Sequence, residues 1–477
     1  MINEYENIKC DIAIIGGGAG GLSVAAGAAQ LGVSVVLIES GKMGGDCLNA
    51  GCVPSKSLLA AAKAGWQARH SAHFGIDGDN VKTNFKGVMQ HVHQVIENIA
   101  EHDSVERFEK LGVKVIQATG KFLDRKTIKA GDYQIQAKRF VIATGSSAFV
   151  PPIEGLDHVP YLTNETIFDL TELPQHLIVI GGGPIGCELA QAFAMLGSQV
   201  TILEGFKVLP KDEPDCVAVV KEQLKVTGVA LHEGIKVNAV AKQPEGIAVA
   251  CEQEGKLLTV TGSHVLVATG RRANVQSLDL EKAGIEYSPK GVVVDKRLRT
   301  RNKKVFAIGD VAGGFQFTHI AGYHAGIVIK NALFRLPAKV DYKAVPWVTY
   351  TEPELAHVGL LSEDAQKQGL DIKITEWPFI DNDRAQADAK THGKIKVLTD
   401  HKARILGATI VGPHAGELIL PWVMAIREGN TLRSFTDAIA PYPTLSETSK
   451  RVSGDYYTPM LFSKKTRSLV RWFLKLG

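Results

Sequence analysis

The stretch Ile12-Ala13-Ile14-Ile15-Gly16-Gly17-Gly18-Ala19-Gly20-Gly21 decides the fold. Four apolar residues in a row suit a buried strand. Gly16, Gly18 and Gly21 then form a turn that lets backbone approach a pyrophosphate at a helix N-terminus. An Ala-rich helix follows, then a second strand, Val33 to Ile38, ending in Glu39. The unit recurs: Leu177 to Ile180 feeds Gly181-Gly182-Gly183-Pro184-Ile185-Gly186, a helix to Leu196, and Gln199 to Leu203 ending in Glu204. Gly181, Gly183 and Gly186 take the glycine positions. Each glutamate stands 23 residues after the first glycine of its unit, where a carboxylate accepts ribose hydroxyls. One such motif arises easily by chance, and glycine turns that merely pack strand on helix are the plain alternative. Two complete units make dinucleotide binding the better reading.

Just beyond Glu39 the chain reads Gly44-Gly45-Asp46-Cys47-Leu48-Asn49-Ala50-Gly51-Cys52-Val53-Pro54-Ser55-Lys56. A Cys-x4-Cys pair alone is a weak signal, shared with zinc half-sites and buried thiols. A structural zinc site needs four ligands, and Cys10, Cys187, Cys216 and Cys251 stand singly, so no metal site is expected. Pro54 suits the first turn of a helix, and Ser57 to Arg69 is predicted helical. Cys52 then lies near a helix N-terminus, whose partial positive charge favours a thiolate. Beside the dinucleotide turns, the pair points to a flavin-linked dithiol enzyme.

At 477 residues the chain exceeds one core and is expected to form about three domains. Its 22% charged and 45% hydrophobic residues are those of an ordinary globular protein. Met1 to Lys9 carries acidic residues without an apolar core, so no signal peptide is expected. No uncharged stretch spans a bilayer. Six cysteines in so long a chain make no disulfide scaffold, which favours a reducing, cytoplasmic compartment.

From about Cys10 to about Asp455 the sequence resembles the flavoprotein disulfide reductases, the class I pyridine nucleotide-disulfide oxidoreductases that include dihydrolipoamide dehydrogenase, glutathione reductase and mercuric reductase. The resemblance implies an α/β fold: two Rossmann-like dinucleotide-binding domains, for FAD and NAD, plus a C-terminal α+β dimerisation domain. It implies that Cys47 exchanges with substrate and that Cys52 contacts the flavin. It also implies that Lys56 lies near the reactive flavin nitrogen, with Glu188 as its carboxylate partner. Thr300 to Asp310 resembles the second flavin motif, in which Gly309 is a cofactor-binding position and Asp310 binds the ribityl chain. The resemblance therefore assigns Gly16 to Glu39 to FAD and Gly181 to Glu204 to the nicotinamide cofactor. Ala143-Thr144-Gly145 and Ala268-Thr269-Gly270-Arg271-Arg272 resemble the strand ends that return the chain between these domains. The expected boundaries are 1–147 and 273–344 for FAD, 148–272 for NAD(P), 345–460 for the dimer interface, and 461–477 for a basic amphipathic tail. Glu204 accepts from a free 2′-hydroxyl and repels a 2′-phosphate, so NADH is favoured over NADPH.

From about Val345 the glycine motifs stop. Lys394 to Leu398 and Ile405 to Val411 read as antiparallel strands, followed by a helix from Ala415. In the family a homodimer shares its active sites, and a His-Pro-Thr-x-x-Glu segment from the partner carries the acid-base histidine. Here the segment is Pro441-Tyr442-Pro443-Thr444-Leu445-Ser446-Glu447, with Tyr442 where the histidine stands. A phenol differs from an imidazole by about 3.5 pKa units, roughly 5 kcal/mol in carrying a proton at neutral pH. Tyr442 is therefore a poor resting base, but it can donate to a leaving thiolate or line a site for a soft metal; an interface aromatic is its plain alternative. Mercuric reductases share the tyrosine, yet they use a vicinal cysteine pair near the C-terminus, and no cysteine follows Cys251 here.

Three functions follow. The first passes electrons from NAD(P)H through flavin to a Cys47–Cys52 disulfide and on to a small-molecule disulfide or dithiol. The second ends them on a metal ion, quinone or oxygen. The third is a flavin redox sensor docked to a membrane by its tail. Ser463 to Gly477 holds Lys464, Lys465, Arg467, Arg471 and Lys475 and no acidic residue, so the +4 of the whole chain comes from this end. Leu469, Val470, Phe473 and Leu476 share one helical face. Packing across the dimer is the first reading of this tail, and peripheral contact with an anionic membrane the second. No nucleic-acid motif accompanies it. His319 and His324, just past the second flavin motif, are the histidines expected nearest the cofactor.

Overall fold

A computed structural model describes residues 5–476; Met1 to Glu4, part of the signal-peptide argument, and Gly477 of the tail lie outside the described residues. The chain parts into two compact units. The first runs to Gly181 and adds Met195–Leu203 and Ile235–Val340; the second comprises Gly182–Ala194, Glu204–Gly234 and the chain from Asp341.

In the first unit the strands β1 (Glu6–Ile15), β2 (Val35–Glu39), β3 (Val113–Gln117) and β6 (Tyr133–Ile142) run parallel in the order β3-β2-β1-β6. The short strands β4 (Gly120–Phe122) and β5 (Thr127–Ala130) continue antiparallel from β6. The apolar run of β1 is continuous because both of its faces are covered. Ile12 and Ile14 pack in one cluster with Leu22, Val24 and Val328. Ala13 and Ile15 pack in another with Phe122 and Phe140. A late segment, Val305–Ala307, joins the sheet parallel to the end of β6. The registers Ile15 to Ile142 and Ala307 to Ile142 align three strand ends. The turns after them, at Gly16, Ala143–Gly145 and Ile308–Gly309, therefore meet at the carboxyl edge where open α/β sheets bind ligands.

The same unit holds a second parallel group, with Gln199–Leu203 beside His176–Ile180, then His264–Val267, then Tyr161–Leu162. It also holds an antiparallel meander of Ile235–Gln243, Gly246–Gln253 and Lys256–Gly262. The second unit contains a five-stranded antiparallel sheet in the order Pro346–Thr349, Glu354–Gly359, Ile405–Gly412, Lys394–Thr399 and Lys373–Pro378. Both strands expected there from sequence are present, as are helices from Ala415. Trp422 is fully buried, stacks on Phe435 at 4.1 Å between centroids and donates to Ser449 Oγ at 3.1 Å.

Candidate active site

Both glycine turns are built alike. Gly16 has φ +111° and Gly181 φ +114°, and a Cβ there would lie 2.3 Å from the Ala143 carbonyl oxygen and 2.4 Å from that of Ala268. Only glycine fits where the returning strand end crosses so closely. A Cβ on Gly21 would sit 1.9 Å from the Gly16 oxygen, so helix Ala19–Gln30 starts directly on the turn. Gly18 pairs with Gly44 in an isolated bridge, which brings the cysteine segment against the first turn. Gly183 faces open space, and Gly186 follows in the first turn of helix Pro184–Leu196.

The two glutamates repeat this symmetry. Glu39 accepts from the amides of Gly17 and Gly41, the latter at 2.6 Å. Glu204 accepts from Gly182 at 2.6 Å and Phe206 at 2.8 Å. Each carboxylate is thus held at the mouth of its turn by two amides, with lone pairs left for a sugar diol. The strand ends are cross-tied as well. Thr144 donates to the Asn274 carbonyl at 2.7 Å, and the Asn274 side chain returns a bond to the Thr144 carbonyl at 3.0 Å. Phe149 donates its amide to the Gly270 carbonyl at 2.9 Å. These cradles, which a Cβ would fill, fit dinucleotides in both turns.

Cys47 lies in the short helix Gly45–Asn49, and Cys52 opens the helix Cys52–Arg69, one turn before Lys56. The helix begins five residues before Ser57, with Pro54 in its first turn as its sequence position implied, where no amide is needed. The Cys47 and Cys52 thiols are in hydrogen-bonding contact, and Cys52 Sγ lies 3.5 Å from Thr318 Oγ1. In this dithiol the Cys47 thiol is held above its ordinary pKa, first by its bond to Cys52, then by burial and the Cys52 charge, with Thr318 acting the other way. The other four cysteines are buried. Burial pushes Cys10 to about 12 and Cys251 to about 11, and raises Cys187 and Cys216 further, and each is buried away from the Cys47–Cys52 pair.

A charged clamp that sequence reasoning missed surrounds the redox loop. The Arg271 guanidinium lies 3.2 Å from Asp46 Oδ2 and 3.9 Å from Asp310 Oδ2. It also donates to Ser146 Oγ at 2.8 Å and to the Ser146 carbonyl at 2.7 Å. Ser146 in turn donates to Asp310 at 2.5 Å. Asn164, buried, donates to Asp46 Oδ1 at 3.0 Å and to the Ala50 carbonyl at 3.1 Å. Asp310 is raised by burial, against the hydrogen bond from Ser146 and the Arg271 charge. The residue before Cys47 is therefore tied through one guanidinium to Asp310. The charge in Gly45-Asp46-Cys47 was the available signal for this clamp. His324, buried and held near pKa 4 by burial, accepts from the Gly309 amide at 3.1 Å and is therefore neutral.

Lys56 donates to Ser55 Oγ at 3.3 Å. Glu188 is buried and accepts from the Tyr350 amide at 2.9 Å. Tyr442 is exposed, and its hydroxyl donates to Asp383 Oδ2 at 2.8 Å. That bond, followed by the Asp383 charge, raises the phenol above its ordinary pKa, with a smaller push from Glu447. Glu447 itself accepts from Arg451, four residues on, at 3.0 Å. Within the chain the phenol's bonded carboxylate is Asp383, 59 residues away in sequence. Among the described residues, no group of three or more His, Cys, Asp or Glu is placed to hold a metal ion, and no helix is long and apolar enough to cross a membrane.

Two turns that fit dinucleotides, with a contacting cysteine pair beside the first, define a flavoprotein of disulfide exchange. The chain belongs to the pyridine nucleotide-disulphide oxidoreductase family, which matches residues 10–325, with its dimerisation domain at residues 345–452. It is 34% identical to a mercuric reductase of Staphylococcus aureus over 92% of this chain and 80% of that protein. It is 36% identical to a dihydrolipoyl dehydrogenase of Geobacillus stearothermophilus over 92% and 94%. The HOCl-induced flavoprotein disulfide reductase RclA from Escherichia coli, solved as a Cu(II) complex, superposes with a TM-score of 0.84 at 30% identity, covering 93% of this chain and 99% of that one. The protein is thus an FAD-dependent oxidoreductase acting on a sulfur group with a pyridine nucleotide as partner, and its dimerisation domain supports a homodimer.

Proposed function

We propose that this enzyme uses NADH to reduce a small-molecule disulfide through Cys47 and Cys52. Residues 1–147 and 273–344 bind FAD in this reading, 148–272 bind NADH, and 345–460 form the dimer interface. Bound FAD would supply two-electron transfer from the nicotinamide to the Cys47–Cys52 disulfide, and Lys56 and Glu188 are the residues the family resemblance assigns to stabilise charge near it. Reduction gives the dithiol, and Cys52, at its helix N-terminus beside Thr318, is the sulfur better placed to hold negative charge. Cys47 passes its proton to the Cys52 thiolate as it attacks one sulfur of the substrate disulfide, and the S–S bond breaks to displace a thiolate. Tyr442 of a second copy protonates that leaving group. Cys52 returns its proton to the Tyr442 phenolate, attacks Cys47 and restores the disulfide, and the second thiolate takes a proton from solvent, so two electrons and two protons leave on two thiols. The mutual contact of Cys47 and Cys52, against four buried cysteines, is the observation that carries this reading. A pair that must cycle between dithiol and disulfide suits a reducing, cytoplasmic setting.

The two amide bonds that aim Glu204 at the second turn support NADH, because a 2′-phosphate would meet a fixed like charge. A second reading, in which electrons end on a metal ion, quinone or oxygen, is favoured by Tyr442, whose raised phenol stays protonated at neutral pH and is a poor resting base. Steady-state turnover of Cys47→Ser on a disulfide panel and a quinone, with NADH and with NADPH, separates the two. The first reading expects disulfide turnover to vanish and NADH to be the better donor. Disulfide turnover that survives the substitution would refute it; quinone or metal turnover without any disulfide activity in the native enzyme would favour the second.

A further inference from the structure

The helix Lys464–Phe473 buries none of its residues. Ser463 caps it, accepting from the Thr466 amide at 3.2 Å, and Thr466 Oγ1 donates back to the Met460 carbonyl at 2.9 Å. Those bonds fix where the helix starts and leave its sides uncovered. At 3.6 residues per turn, Lys464, Arg467 and Arg471 line one side. Leu469, Val470, Trp472 and Phe473 line the other, with Trp472 54% and Phe473 56% exposed, and Leu476 just past the helix is 65% exposed. The adjoining Met460 and Phe462 are exposed too. Ten residues of helix are marginal in water without a surface to bury their apolar side, so this face implies a covering partner.

Charge identifies that partner. Five cations and no carboxylate side chain between Ser463 and Gly477 suit a surface that is anionic and apolar together, and a tryptophan at the edge of the apolar side suits the headgroup boundary. A second copy of the chain fits less well, because the family's dimerisation domain ends at residue 452 and a copy would bring a like-charged helix. We propose that the helix lies flat on an anionic lipid bilayer and makes this reductase a peripheral membrane enzyme. The proposal stands apart from the identity of the reduced substrate.

Sedimentation of the FAD-loaded protein with vesicles tests it. One part phosphatidylglycerol to two parts phosphatidylcholine is expected to pellet the full chain, whereas pure phosphatidylcholine is not. Added salt weakens the binding by shortening the Debye length. Each cation near an anionic surface is worth about fivefold in partitioning, so Arg467→Gln with Arg471→Gln weakens it about 25-fold. Leu469→Glu with Phe473→Glu, or deletion of 463–477, abolishes it, with NADH oxidation and the mass in light scattering unchanged. Equal pelleting of the deletion variant would overturn the proposal. So would its conversion from dimer to monomer, which would assign the helix to the second copy.

Discussion

Arg271→Met removes one cation from between two carboxylates. The Arg271 side chain is 13% exposed, against 34% for Asp46 and 21% for Asp310. At an effective dielectric near 20, charges 3.2 Å and 3.9 Å apart attract by about 4–5 kcal/mol each before desolvation. Desolvation of the guanidinium and the solvent that reaches Asp46 cancel most of this. The net loss is about 2–3 kcal/mol, below the roughly 3–5 kcal/mol of a fully buried pair cut in half. Asp310 is already raised by burial, and losing Arg271 raises it further. The penalty is therefore present while Asp310 is ionised, and it shrinks as falling pH protonates that carboxyl. Thermal unfolding of the FAD-loaded variant at about pH 7.5 is expected about 3–6 °C below the native enzyme, with a clearly smaller gap near pH 5. A gap that is absent, or equal at both pH values, would refute the argument that Arg271 compensates these charges.

The phenol and the buried histidines give further tests. Tyr442→Phe is expected to lower disulfide turnover about 100-fold if its hydroxyl protonates the leaving thiolate. Asp383→Asn takes away the negative acceptor that raises the phenol, so the alkaline limb of kcat/KM moves to lower pH; an unmoved limb assigns that limb to another group. His357 is fully buried, with Nδ1 2.7 Å from Thr409 Oγ1 and Nε2 3.1 Å from the Gly359 carbonyl, and burial depresses it to about 4. Its unfolded pKa is near 6.5, so the stability it lends is complete above that value and is lost as pH falls through 4, by at most about 3 kcal/mol. His357→Gln keeps a donor and an acceptor, and its urea midpoint is expected to fall less than the native one between about pH 7.5 and pH 5.

Much of this was legible in sequence because some positions tolerate only one residue type. Gly16 and Gly181 mark the turns since a strand end crosses within contact of where a Cβ would be. The runs Ile12–Ile15 and Leu177–Ile180 read as strands because both their faces are covered. The first half of β1 was not legible, because Glu6, Asn7 and Lys9 are exposed and carry no apolar pattern. The meander over residues 235–262 was missed as well; its last strand, Lys256–Gly262, is mostly solvent-facing. At the site, the cysteine pair and the glutamates announce themselves by local spacing. Arg271 with Asp46, Thr318 with Cys52, and Asp383 with Tyr442 do not, because each pair joins segments that only the folded chain brings together. A motif carried by a family records which residue fills a position, and it is silent on a partner such as Asp383 that lies outside it.

The strand Val305–Ala307 bears on how the protein is made. It pairs with the end of β6, yet about 160 residues must be translated between them, which takes roughly 10–30 s at ordinary elongation rates. Through that interval the nascent chain exposes an unfinished sheet edge ending at Ile142, and Asp310, which the proposed reading assigns to the ribityl chain, has not left the ribosome. Flavin capture is therefore a late event in biogenesis, and a chaperone or the waiting nucleotide fold must guard that edge until the last strand arrives.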